Sequence, residues 1–287
     1  MAIFRSVTLH ALRTVEALFP LCGLILFLLA TMAVFAVRCA TVGRPHTPYI
    51  EARHVAPILK WWMEWWVWLW GPVERACLKL GVTPNAITLT STALTGVAAA
   101  LLGMGRLSSG GWLYLAAASL DLVDGRVARA QGTSSKAGAF LDSTLDRVAE
   151  LFVFAGLSIY FRDSGALYAV LAAAGSSVVV SYARARGEAL GIGAEVRFGG
   201  MQRAERVVLT GLPCALAPIF DAAFPGGGDV VVGSTLAILG VVTTLTAVQR
   251  CHAVWRALRG HEPQPARPVA NVRWLEAARR RQQRVGR

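Results

Sequence analysis

Apolar residues fall in long unbroken runs, and polar positions gather in short breaks between them. The first run, residues 18–37, is long enough for a bilayer core, which needs about 20 residues. A secretory signal is the alternative for this run. Its length, and the lack of a small-x-small pattern after it, favour a retained helix. Residues 38–57 are polar and carry prolines, so they read as a connector. Residues 58–70, ILKWWMEWWVWLW, hold six of the nine tryptophans. Tryptophan prefers headgroup depth, and Lys60 and Glu64 share the segment, so the pattern predicts a helix lying along the membrane surface. A Trp-rich core helix is the alternative, and Gly71-Pro72 is expected to end the segment.

Six further apolar segments follow, at 85–104, 112–130, 137–160, 165–183, 207–220 and 230–249. Most are separated by short breaks, which predicts antiparallel helices, because lipid tolerates only internally bonded backbone. Pro213 and Pro218 are expected to kink the fifth. There is no internal repeat. The expected fold is an all-α integral membrane protein: a six-helix bundle, an extra N-terminal transmembrane helix and an interfacial amphipathic helix. The expected organisation is residues 1–57 for the extra helix and connector, 58–258 for the membrane domain and 259–287 for a basic cytoplasmic tail.

Composition agrees with this picture. The 287 residues are 55% hydrophobic and 16% charged, where soluble domains carry about a quarter charged residues. The net charge is +12, and it is one-sided. The breaks at 105–110, 161–164 and 221–229 carry only Arg106 and Arg162 as basic residues. The other ends carry Arg126, Arg129, Lys136, Arg184, Arg186, Arg197, Arg203 and Arg206. From Arg250 onward there are ten Arg against Glu262 and Glu276. Excess positive charge marks the cytoplasmic side, so a multi-pass protein of the cell (inner) membrane is expected, with this face in the cytoplasm. A nucleic-acid partner is not expected, since no recognition pattern accompanies the charge. The tail could form a short basic helix on anionic lipid or stay solvated. The five cysteines, Cys22, Cys39, Cys77, Cys214 and Cys251, have neither CxxC nor Cys/His ligand spacing, so no zinc site or disulfide framework is suggested.

Four acids stand in or beside membrane helices: Asp121, Asp124, Asp142 and Asp146. Intramembrane carboxylates are expensive and mark functional sites. Asp121 and Asp124 are spaced i, i+3, and Asp142 and Asp146 i, i+4, so each pair lies on one helix face. A short break makes the two helices neighbours. Four converging carboxylates would repel one another without cations among them. An all-oxygen set suits hard ions such as Mg2+ or Mn2+, and two such ions could bridge a pyrophosphate. Gly125 and Gly138 would let a ligand approach the backbone closely. Arg129, one turn beyond Gly125, could bind a phosphate bidentately.

The string Asp121-x-x-Asp124-Gly125-x-x-Ala128-Arg129, eight residues, Gly138-x-x-x-Asp142-x-x-x-Asp146 resembles the signature of the CDP-alcohol phosphotransferase family at every fixed position. The resemblance covers residues 61–258. It implies a six-helix membrane fold, usually a homodimer, and a metal-dependent transfer from a CDP-linked lipid such as CDP-diacylglycerol to an alcohol, releasing CMP. By position, Asp121, Asp124, Asp142 and Asp146 would hold two divalent ions, Mg2+ or Mn2+, and Asp146 would be the general base. Gly125, Arg129 and Gly138 would contact the CDP moiety, with Ser135 and the Thr83-Pro84-Asn85 stretch, itself also readable as an ordinary helix start.

For the acceptor, Arg184, Arg186, Arg203, Arg206 and Arg250 stand at three helix ends on the side of the acids. Guanidinium suits a phosphate dianion, so a small phosphorylated polyol is expected, although positive-inside topology alone would also put Arg there. SYARARGE, QRAER and VQRCHAVW resemble the phosphatidylinositol-phosphate synthase branch of the family. That resemblance implies inositol 1-phosphate as acceptor, with Arg184, Arg206 and Arg250 on its phosphate and Arg186 and Arg203 nearby. The branch more often has Lys at Arg184 and ERPER in place of QRAER, so glycerol 3-phosphate stays open. A divalent-cation transporter and a non-enzymatic scaffold are the rival classes. A transporter should spread acids through the membrane depth, whereas here they cluster at one end.

Overall fold

The computed structural model describes residues 2–45, 57–192 and 200–261, and all of its regular structure is helical. Helix α1 is Ala2–Thr41, α2 Pro57–Leu69 and α3 Gly71–Lys79. The bundle proper is α4 Pro84–Gly103, α5 Leu107–Ala130, α6 Lys136–Tyr160, α7 Ala166–Ala189, α8 Arg203–Ala223 and α9 Gly227–His261. Arg197 and the basic tail beyond His261 lie outside the described residues.

Each apolar segment became one helix, but several ends differ from the sequence reading. Helix α1 runs to Thr41, past the predicted connector boundary. The Trp-rich helix α2 does stop at Leu69, just before Gly71-Pro72, but a new helix starts at once, with Pro72 in the first turn of α3, because a proline there gives up only an amide that has no partner anyway. Helix α8 starts at Arg203 and α9 continues to His261, since their polar ends no longer look apolar although the backbone bonding persists. Pro213 and Pro218 sit inside a continuous α8.

Among the described residues, five helical stretches are long and apolar enough to cross a membrane: Cys22–Thr41, Pro84–Gly103, Ala166–Ala189, Arg203–Ala223 and Gly227–Gly260. Helices α5 and α6 have the length, at 24 and 25 residues, but carry the acids and bases of the motif. The protein is therefore a multi-pass membrane protein whose two most polar long helices hold the conspicuous chemistry.

Helix α5 packs against α4 and α8, α4 against α6, and α9 against α7 and α8. Their shared core includes Leu102, Tyr114, Val153, Leu157, Val170 and Leu236. Glycines set the closest approaches. A Cβ on Gly156 would strike the Ala99 carbonyl, and one on Gly111 would strike the Ala215 amide, so backbones meet where side chains would hold them apart. Ile87, Val123 and Val127 form a second small core under Trp70, Cys77 and Leu78, which seats α3 on the bundle. Helix α1 meets α2 and α8, and its buried Phe35 lies 5.5 Å from both the Trp61 and Trp68 rings. In α2, Trp65 is buried while Trp62 is exposed.

Candidate active site

The carboxylates converge at one end of the bundle. Ser91 donates to Asp121 Oδ1 and Thr88 to Asp124 Oδ2, each at 2.6 Å. Thr88 and Ser91 are three residues apart on α4, as Asp121 and Asp124 are on α5, so the antiparallel pair aligns two hydroxyls with two acids. These hydroxyls are absent from the sequence-predicted site. The matching i, i+3 spacing was the available signal. Asp142 and Asp146 reach the same region from α6: Asp142 and Asp121 lie in one another's fields, as do Asp146 and Asp121.

Arg203 enters the middle of this group. Its Nη1 lies 2.7 Å from Asp121 Oδ2 and 2.8 Å from Asp146 Oδ1. The approach to α8 explains why. Gly200 has φ +80°, and a side chain there would collide with Thr246. The Met201 amide then donates to Thr246 Oγ1 at 3.1 Å, and Gln202 with Glu205 closes a capping box. Arg203 is thereby the first residue of α8. A cation opposes the helix dipole there, and the two carboxylates offset that cost.

Of the residues expected to meet CDP, Thr83, Pro84, Asn85, Ser135 and Gly138 fall at two neighbouring helix starts, and Gly125 and Arg129 lie towards the end of α5. Thr83 caps α4, accepting from the Ala86 amide at 3.3 Å, and Pro84 follows in the first turn. Ser135 caps α6, accepting from the Gly138 amide at 3.0 Å. A side chain on Gly138 would begin 3.2 Å from Ser135 Oγ and 3.7 Å from Asn85 Oδ1, so Asn85, Ser135 and Gly138 share one place. Gly125 is flanked by the exposed Arg129 guanidinium, 3.4 Å from where a Cβ would stand. Helix N-termini attract anions through unpaired amides and the macrodipole.

The five acceptor-side arginines divide. Arg250 is only 8% exposed. It pairs with no acid among the described residues: its Nη1 reaches only the Val180 carbonyl, at 3.4 Å, and its Nε has no partner. Arg184 and Arg206 stand in its field. Arg184 also pairs with Glu188 at 3.1 Å. Arg206 is 2% exposed, and its fork is taken by Glu150, Nε to Oε1 at 2.6 Å and Nη2 to Oε2 at 2.9 Å. Arg203 faces the acids, as above, and Arg186 is exposed. Glu150 was not predicted, although it continues the Asp142, Asp146 spacing by one more turn.

The donor set fits a hard divalent ion, since Asp121, Asp124, Asp142, Asp146, Thr88 and Ser91 offer only carboxylate and hydroxyl oxygens. The Arg203 guanidinium is a stand-in cation at its centre. Among the described residues, no three His, Cys, Asp or Glu side chains surround a single point in ligating geometry.

Known proteins resemble this chain. The family model described as CDP-alcohol phosphatidyltransferase matches residues 81–248. A phosphatidylinositol phosphate synthase of Streptomyces avermitilis is 35% identical over 224 residues, covering 76% of this chain and 89% of that protein. One from Mycobacterium tuberculosis is 36% identical over 192 residues, covering 64% and 84%. The crystal structure of Mycobacterium tuberculosis phosphatidylinositol phosphate synthase with manganese and citrate superposes with a TM-score of 0.58 at 30% identity, covering 64% of this chain and 88% of that one. The same enzyme with CDP-DAG bound gives 0.57 at 31%, covering 64% and 92%. With the motif, the helical bundle and these relatives together, the chain belongs to the CDP-alcohol phosphatidyltransferase family of transferases.

Proposed function

We infer that this enzyme transfers a phosphatidyl group from CDP-diacylglycerol to inositol 1-phosphate, forming phosphatidylinositol phosphate and releasing CMP. The observation that carries this reading is Arg250, buried without an acidic partner among the described residues and facing Arg184 and Arg206. A buried cation is costly without a compensating charge. A phosphate on the acceptor supplies one, whereas free inositol or serine brings no phosphate. The names of the relatives supply the inositol.

Asp121, Asp124, Asp142 and Asp146 would hold two divalent ions, Mg2+ or Mn2+. The chemistry such ions supply is charge neutralisation at the entering and leaving oxygens. The chain's own residues do the rest. Asp146 takes the proton from the acceptor hydroxyl. Arg129, with the capped starts of α4 and α6, holds the CDP phosphates, and Gly125 and Gly138 leave room for them. Arg250 and Arg184 hold the acceptor phosphate. Arg206, with its fork on Glu150, contributes its field, and positioning supplies much of the acceleration.

The basic helix ends share the site's end of the bundle, which supports a site open to the cytoplasm in the cell's inner membrane. The tryptophans of α2 support an interfacial position for that helix. Residues 58–258 would be the catalytic unit and a homodimer the working form. The test is CMP release from CDP-diacylglycerol in the presence of inositol 1-phosphate and Mg2+. Release that ends with chelation and in Asp146→Asn supports the reading; release that persists in Asp146→Asn contradicts it.

A further inference from the structure

Arg203 is the residue whose position the transfer reaction does not require. Arg129 serves the donor and Arg250 the acceptor, yet a third guanidinium stands between two of the four signature carboxylates. Its contacts are made by one nitrogen, Nη1, while Nε has no hydrogen-bond partner. The side chain is 27% exposed, unlike the locked Arg206. It is tethered at the first position of α8, one turn before Arg206. Both arginines share the field around Tyr114 with Glu150 and Asp121. A long side chain held at a single nitrogen, with solvent beside it, can leave without unfolding anything.

We propose that Arg203 is an internal competitor for the divalent-ion site, and that its displacement couples ion binding to binding of the acceptor phosphate. The proposal rests on the reading above that the four carboxylates bind divalent ions. Asp121 Oδ2 and Asp146 Oδ1 cannot serve Arg203 and a divalent ion at one point, because like charges at that distance repel. An ion that takes these oxygens turns Arg203 out. The released guanidinium stays within one helical turn of Arg206, on the side where Arg250 and Arg184 await an anion. An acceptor phosphate that binds Arg203 there removes the competitor from the carboxylates. Ion and phosphate therefore strengthen one another, by equal factors, and the carboxylates keep a counter-charge whenever the ion departs.

The experiment uses the full chain in nanodiscs, with Mn2+ titrated by the electron paramagnetic resonance of the free ion and inorganic phosphate as the anion. Arg203→Gln is expected to bind Mn2+ about tenfold more tightly than wild type, the scale of one charge-assisted contact, with Arg203→Lys between the two. Phosphate is expected to tighten Mn2+ binding in wild type and to leave it unchanged in Arg203→Gln. Equal or weaker Mn2+ binding by a folded Arg203→Gln overturns the proposal, as does phosphate linkage that survives in it. Should Arg203→Gln fail to fold, the wild-type linkage and Arg203→Lys decide: no linkage, or no gain in Arg203→Lys, overturns it. Asp121→Asn separates the two levels. If Mn2+ binds wild type but not Asp121→Asn, while Arg203→Gln matches wild type, the ion site stands and this proposal alone falls. If Mn2+ binds no variant, both fall.

Discussion

Glu150 and Arg206 face each other as a buried two-point pair joining α6 to α8, with contacts of 2.6 and 2.9 Å. Glu150 lies one turn beyond Asp146, on the same face, so the pair fixes α8 directly behind the carboxylate cluster. Removing one partner of such a pair leaves a buried charge, at a cost of about 3–5 kcal/mol. Glu150→Ala should lower thermal stability by that order in detergent. Replacing both residues with Met should recover most of it, while the KM for the acceptor rises. Thermal unfolding of the single and double variants checks this.

The hydroxyls on α4 should tune ion affinity. Thr88 and Ser91 orient Asp124 and Asp121, and loss of a partner behind a metal ligand typically costs about 10- to 100-fold in affinity. Thr88→Val and Ser91→Ala should each raise the Mn2+ requirement by that range, with little change in the KM for CDP-diacylglycerol. Mn2+ titration of activity and of binding, run on the same preparations, measures it.

Backbone contact between α4 and α6 gives a stability prediction. Gly156→Ala drives a methyl into the Ala99 carbonyl, with Ala99 Cα only 3.1 Å away. Overpacking of this kind costs about 1–3 kcal/mol. Gly165 has nothing within 4 Å of its Cβ position, so Gly165→Ala should stay within about 0.5 kcal/mol of wild type. Unfolding midpoints of the two variants should separate accordingly.

Arg250→Gln should act on the acceptor alone. A charge-assisted hydrogen bond is worth about 1.5–3 kcal/mol, so the KM for inositol 1-phosphate should rise about 10- to 100-fold while that for CDP-diacylglycerol holds. Initial rates with each substrate varied in turn give the split.

Much of this site could be read from the chain because four acids in apolar helices have few explanations, and their i, i+3 and i, i+4 spacings fix the faces they occupy. The partners were harder to read. Thr88 and Ser91 sit among other Ser and Thr residues of α4 that only bond back to their own helix, such as Thr90 and Thr92. Only the neighbouring helix separates the two kinds. Arg203 and Arg206 read alike in QRAER, yet one meets Asp121 and Asp146 and the other Glu150, because the two arginines share a face of α8 one turn apart, as Asp146 and Glu150 do on α6. Helix ends escaped for a related reason: hydropathy stops where polar residues begin, whereas α9 continues to His261 on backbone bonding, and Pro72 serves as a start as readily as a stop.

The central claim is the phosphate-bearing acceptor, and a competition assay tests it most directly. Purified protein would receive CDP-diacylglycerol and Mg2+ with equal inositol 1-phosphate, glycerol 3-phosphate, free inositol and serine, and the lipid products would be separated by mass. Phosphatidylinositol phosphate as the dominant product, lost in Asp146→Asn, is the predicted result. Phosphatidylinositol or phosphatidylserine as the dominant product would contradict the role given to Arg184 and Arg250.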